Sequence, residues 1–312
     1  MIQLLRNPNY DFIGRRRLAY VLSAVIMVIG LGSLAVRGLR YDIDFTGGTL
    51  VQVRFEQPPT VAAIRAGLAR IQLGDSIIQE FGDPREYIVR TPLTSASSEE
   101  LTKRVTMALG QETALGKFEI RRVEFVGPQV GRDLQRQAIS AVLFGLVGIL
   151  VYIAWAFKSV KGGVAAIAAV FHDIVVCMGG LSLTGREFSL PVLAALLTII
   201  GYSVNDTIVA YDRLRENRGK FAPKGKTFAD QMNDAINQTL SRTVLTALTT
   251  FLSTAILLFL GGKTLEDFAF VLFIGVITGT YSTIYIAGSL IVDWTESVES
   301  RVTRRKKAMA KA

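Results

Sequence analysis

The sequence predicts a polytopic α-helical membrane protein: six transmembrane helices, with an α+β domain of ferredoxin-like order, βαββαβ, between the first and second. Three observations carry this expectation. Half of the 312 residues are hydrophobic and the mean hydropathy is +0.37, more apolar than an ordinary soluble chain. Six apolar runs approach twenty residues, the length that crosses a hydrocarbon core of ~30 Å. Residues 37–137, between the first two runs, alternate strand-like and helix-like patterns instead.

Taken in order, residues 1–17 are an N-terminal tail ending in Arg15, Arg16 and Arg17, followed by the first span, 18–36. Ser33-Leu34-Ala35 resembles a signal-peptide cleavage site, but the apolar run from Leu18 to Val36 exceeds the ~7 to 15 residues of a signal core, so an uncleaved anchor is expected. In the 37–137 domain, Gly48 to Phe55 is β-rich, and Thr60 to Gln72 sets Val61, Ile64, Leu68 and Ile71 at helical spacings. Ser76 to Phe81 and Glu86 to Arg90 read as short strands around a Gly82-Asp83-Pro84 turn. Ser97 is placed to cap a helix running to Leu109, with Glu100 three residues on, and Lys117 to Val126 supplies the last strand. With no His, Cys, acidic cluster or phosphate loop, the domain reads as a docking head, and strand addition to extended polypeptide is its functional alternative.

The remaining spans are 138–157, 162–184, 188–211, 243–262 and 268–292. Residues 212–242 form a basic loop whose second half, with Phe228, Met232, Ala235, Ile236 and Leu240 at helical spacing, predicts an amphipathic helix along the membrane, its cations facing anionic lipid. Residues 293–312 are a basic tail. Counting tails and short loops, nineteen Lys and Arg fall on the side of the N-terminus, whereas the opposite side holds Arg186 and Lys263. Both termini are therefore expected in the cytoplasm and 37–137 across the membrane. The formal charge of +9 is then a matter of topology and lipid, and nucleic acid is not needed to explain it.

A single cysteine, Cys177, and a single histidine, His172, exclude a disulfide framework, a multi-Cys zinc site and any constellation built on two histidines, so no enzymatic chemistry and no metal are expected. Attention passes to ionisable groups inside the spans, which are costly there and default to function. Asp206 lies ~22 Å from the outer start of its helix, at a depth comparable with Arg242 ahead of the fifth span. Helical spacing of Tyr202, Asn205, Asp206, Val209 and Arg213 predicts a partly polar stripe facing other helices, and Thr243, Thr246, Thr249, Thr250, Ser253 and Thr254 give the fifth span a polar side. A protonation switch and a static ion pair both fit Asp206 with Arg242. His172 and Asp173, being consecutive, should point about 100° apart, with Asp173 in the same polar interior as Asp206 and His172 bonded to a neighbouring helix, as relay or as structure. Gly275 and Gly279 form a small-residue packing motif, and Cys177 reads as an inert core residue.

Four segments carry a family resemblance: Asp44-Phe45-Thr46-Gly47-Gly48-Thr49, Val126-Gly127-Pro128-Gln129-Val130-Gly131, Gly201 to Thr207 leading into Tyr211 to Asn217, and Asn237 to Thr243. In this order and topology, from about residue 5 to 295, the chain resembles the SecF-type members of the SecD/SecF protein-export family, within the RND superfamily. The resemblance implies an accessory subunit of the Sec translocase in the bacterial inner membrane, with residues 37–137 periplasmic. It implies SecD, the SecYEG translocon, the translocating preprotein and YajC as partners, and the proton gradient in place of a cofactor. Asp206 and Arg242 would be proton-pathway residues, with Asn205, Thr207 and Asp173 beside them. Asp44, Gly47, Gly48, Gly127, Pro128 and Gly131 would be structural. A proton-coupled exporter of lipids or drugs and a non-transporting clamp of a membrane complex are the alternatives.

Overall fold

The computed structural model describes residues 5, 8–91, 98–157, 160–220 and 225–309. Among them, six helical stretches are long and apolar enough to cross a membrane. They comprise α1 (Arg16–Arg37), α5 (Pro128–Phe157), α6 (Val160–Thr184), α7 (Leu190–Lys220), α8 (Phe228–Leu260) and α9 (Lys263–Ser282), which continues through a π-helical turn, Thr283–Ala287, into α10 (Gly288–Met309). Helices satisfy their own backbone polar groups, as hydrocarbon requires. α6, α7 and α9 are central, whereas α1, α5 and α8 expose apolar residues such as Val28, Phe144, Trp155, Ile256 and Phe259. Those bare flanks are what lipid or another membrane helix would cover.

Between α1 and α5 the chain forms β1 (Arg40–Tyr41), α2 (Ile43–Thr46), β2 (Gly48–Phe55), α3 (Val61–Ala69), β3 (Ile77–Phe81), β4 (Asp83–Thr91), α4 (Ser98–Gly110) and β5 (Phe118–Val126). The four-stranded sheet runs β3-β4-β2-β5 with every neighbouring pair antiparallel, the ferredoxin-like arrangement. Alternate β2 residues Val51, Val53 and Phe55 point into a core shared with Val89, with Ile64 and Leu68 of α3, and with Leu101, Val105 and Leu109 of α4. Thr60 caps α3 by accepting from the Ala63 amide. The cap expected from Ser97 lies outside the described residues.

Three boundaries differ from the sequence reading. α5 begins ten residues before its apolar run, at Pro128, where a missing amide is harmless in a first helical turn. Residues 212–242 are not a surface loop with a separate interfacial helix. α7 extends to Lys220, and α8 starts at Phe228 behind a Thr227–Asp230 capping box and runs unbroken into the fifth span. Its apolar stripe, Met232, Ala235, Ile236 and Leu240, is buried against Ile13, Tyr211, Leu214, Ile284 and Ile291, so protein rather than lipid covers it. Finally, the expected tail 293–312 is helical as far as Met309.

Outside these elements, β1 pairs in parallel with β6 (Glu187–Phe188), in the turn between α6 and α7. No expectation covered this pairing, which ties the head to the membrane helices.

Candidate functional site

Two polar regions stand out, one inside the helix bundle and one where the head meets it. Inside, α6, α7 and α9 converge on Asp173, 1% exposed. Its Oδ2 accepts hydrogen bonds from the Ser203 and Ser282 hydroxyls, each at 2.7 Å. Its Oδ1 lies 3.1 Å from His172 Nδ1, so these consecutive residues fold their side chains together instead of diverging by 100°. The His172 ring lies beside Tyr281, with centroids 6.0 Å apart, and its Nε2 is buried without a partner. The expected bond from His172 to a neighbouring helix is therefore not made.

One turn along, Thr207 and Thr283 share a 3.1 Å hydroxyl contact, and both donate to the Ser203 carbonyl at 3.2 Å. Thr283 opens the π turn, and such turns are frequent at functional sites. The hydroxyls of Ser203, Ser282 and Thr283 belong to the site, although only Ser203 lay in a segment the sequence had singled out, Gly201 to Thr207, and no role was expected of it. Their only signal would have been coincidence of depth on different helices.

Asp206 is 3% exposed, and its Oδ2 has no hydrogen-bond partner. Arg242 on α8 is near enough for the two charges to interact, but no ion pair within 4 Å joins them. The carboxylate is thus buried and under-satisfied, which is costly for a charged group. Asn205 and Arg242 are both exposed, so the shared inward stripe expected for Asn205 and Asp206 splits, and only Asp206 turns into the bundle. Arg213 bonds Gln238 and Glu216. The hydroxyls of Thr246, Thr249, Thr250 and Ser253 close back on carbonyls of their own helix, so this side of α8 is less polar than its composition suggests. Gly275 and Gly279 face Ile199 and Ser203 of α7, which makes the pair an intrachain packing device.

At the junction, Asp42 caps α2 and Asp44 Oδ2 accepts from the Leu190 amide at the start of α7, 3.1 Å. Gly47 (φ 70°) and Gly48 (φ 133°) turn the chain into β2, and a Cβ on Gly48 would sit 2.6 Å from the Thr91 carbonyl oxygen. Gly131 on α5, a turn past Gly127 and Pro128, lets that helix approach the same turn, its absent Cβ 3.1 Å from the Gly47 nitrogen, and Gln135 donates to the Phe45 carbonyl at 2.8 Å. From the head, Arg90 on β4 forms a salt bridge to Glu187 and lies 3.4 Å from Asp42. Burial raises the pKa of both carboxyls against the opposing pull of Arg90. Behind them, Arg186 spans Glu266 and Asp267 of α9, each at 2.7 Å. Among the described residues no group of His, Cys, Asp and Glu is gathered as a metal ion would need. Cys177 is fully buried.

Comparison with known proteins matches residues 105–297 to the family described as protein export membrane protein SecD/SecF, C-terminal, and residues 32–59 to the SecD/SecF GG motif. A protein translocase subunit SecF of Desulfurispirillum indicum is 45% identical over 296 residues, covering 93% of each chain. That of Pseudomonas aeruginosa is 41% identical, covering 90% of each. Among solved structures, a crystal structure of SecDF, a translocon-associated membrane protein from Thermus, is 40% identical with a TM-score of 0.82. The alignment covers 93% of the present chain and 39% of the SecDF chain.

Proposed function

The chain belongs to the SecD/SecF family of protein-export membrane proteins, and on that premise we propose that it is the SecF-type subunit of a Sec export machinery that uses proton entry to promote preprotein translocation. The observation that carries the proton step is Asp206, a buried carboxyl with an unpartnered oxygen and a guanidinium near it that is not bonded to it. A static structural pair would have closed to an ion pair. A site that must bind and release a proton is better served by one that has not. Protonating Asp206 removes its attraction to Arg242, freeing α7 to shift against α8. One proton crossing 100 mV supplies ~2.3 kcal/mol, enough to bias a two-state element substantially.

Arg242 and Asn205 present polar groups on a face of the bundle that this chain leaves uncovered, at the depth of Asp206. SecD is the partner proposed to cover it and to complete the proton path, with Thr207 and Asp173 as neighbouring polar groups. The multi-pass chain is assigned to the bacterial inner membrane with both termini cytoplasmic and the head periplasmic, in keeping with the distribution of Lys and Arg. SecYEG, the emerging preprotein and YajC are the further partners, and the subunit is proposed to act without covalent catalysis.

The test is Asp206→Asn in vesicles holding SecD, SecYEG and SecA. Stimulation of export by an imposed proton gradient should vanish while recovery with SecD is unchanged. Undiminished stimulation refutes the proton role, and recovery with a periplasmic exporter adaptor in place of SecD refutes the export assignment.

A further inference from the structure

At the head-side end of α1 and α6 lies a cavity of about 330 Å³ whose charged lining is entirely basic: Arg37, Arg40 and Arg186. Arg37 is the last residue of α1, and its Nη1 donates to the Leu183 carbonyl at 3.0 Å, which holds the guanidinium over the end of α6. Arg40 is set by the β1 pairing opposite Glu187, and its guanidinium packs over the Gly185 turn. Arg186 forms the far wall, its charge balanced by Glu266 and Asp267 outside the cavity. Arg37 and Arg40 have no such balance, since among the described residues no carboxylate lies within 4 Å of either. Ser182 directs its hydroxyl to the Gly38 carbonyl and closes the floor.

Guanidinium groups held close together repel unless an anion lies between them, and their planar forks suit phosphate oxygens. The ends of two spanning helices mark the level of the lipid headgroups, and the translocated side of a membrane protein is where Arg is ordinarily sparse. We propose that this cavity binds a phosphate group, supplied by the headgroup of an anionic phospholipid in the head-side leaflet. Basic pockets between spanning helices are a known physical solution for such headgroups. Bound there, a lipid would pin α1 to the α6 turn directly beside the β1–β6 pairing that carries the head.

The test is native mass spectrometry of the full chain purified with SecD, titrated separately with phosphatidylglycerol, phosphatidylcholine and inorganic phosphate. One phosphatidylglycerol should be retained at least tenfold more tightly than phosphatidylcholine. Arg37→Gln with Arg40→Gln should weaken it tenfold or more, whereas Arg136→Gln, exposed near the same end of α5, should not. Arg37→Lys with Arg40→Lys, which keeps the charge, should hold much of the binding. If the glutamine pair does not assemble, Arg40→Gln alone, whose side chain makes no hydrogen bond among the described residues, gives the same readout. Retention of inorganic phosphate without lipid overturns the lipid source, and equal loss in Arg136→Gln, or none in the pair, overturns the site.

Discussion

Asp206→Asn should raise stability while Asp173→Asn leaves it nearly unchanged, although both replace a buried carboxylate by its amide isostere. Among the described residues Asp206 accepts no hydrogen bond at Oδ2 and forms no ion pair, so little is lost with its charge. An ionised carboxylate at the centre of a spanning helix costs ~2.5 to 3.5 kcal/mol, and near one end of the span somewhat less. Relief of part of that cost, about 1 to 2 kcal/mol, raises Tm by roughly 2–6 °C at a few degrees per kcal/mol. Asp173 accepts from Ser203 and Ser282 and lies against His172. Bonds to a charged acceptor are worth ~1.5 to 3 kcal/mol against ~0.5 to 1.5 for neutral ones, so neutralising Asp173 forfeits about 2 to 3 kcal/mol, which offsets the comparable relief of its buried charge and leaves Tm within about 2 °C. Thermal unfolding of the complex with SecD in nanodiscs reads both. A fall in Tm for Asp206→Asn would make Asp206 a structural residue and remove the basis of the proton step.

Three further outcomes follow from the packing and the junction. Gly48→Ala sets a Cβ at φ 133°, 2.6 Å from the Thr91 oxygen, and should cost about 2 to 4 kcal/mol, read as faster proteolysis of the head with the spanning helices intact. Gly275→Ala drives a Cβ into Ile199, at 2.4 Å, and should cost about 1 to 3 kcal/mol in Tm, recovered in part by adding Ile199→Ala; absence of recovery would refute the packing explanation. The Arg90 junction should respond to pH in a direction opposite to simple ion-pair loss. Because docking raises the pKa of Asp42 and Glu187, the docked state binds protons more tightly than the undocked one, so its advantage is full below the ordinary carboxylate range and declines as pH rises through the raised values. Hydrogen exchange of the β1 and β6 amides, corrected for intrinsic rates, should slow on acidification from neutral pH toward 4, and a faster corrected rate would refute it.

The spans were legible because hydrocarbon imposes a length and a composition that a sequence displays without reference to neighbours. The head was legible because its strands and helices switch periodicity at turns such as that around Gly82. Tertiary context decided the rest. Met232 and Ile236 look alike to lipid and to Ile13 and Ile291, so the sequence could not tell a surface helix from an extension of α8. Asp173 was visible as an intramembrane acid, but its Ser203 and Ser282 partners come from helices 30 and 109 residues away. The pairing of β1 with β6, two residues each, is too short for any periodic signal.

The junction and the proposed proton site are joined by one element. α7 begins at Leu190, whose amide is held by Asp44, and continues without a break to Asp206, sixteen residues or about 24 Å further on. A continuous helix passes axial displacement along its length, so movement of α7 at Asp206 must act on Asp44, and through Gly47 and Gly48 on β2, one of the two inner strands of the head's sheet. Asp44→Ala removes the grip and leaves the proton site untouched. Export driven by a proton gradient should then fall severalfold while proton flux through the complex with SecD persists, and Asp44→Asn, which still offers an acceptor oxygen, should keep most of the coupling. Loss of flux together with export in Asp44→Ala would mean that the head-side end of α7 shapes the proton site itself, and the rod would not be the link.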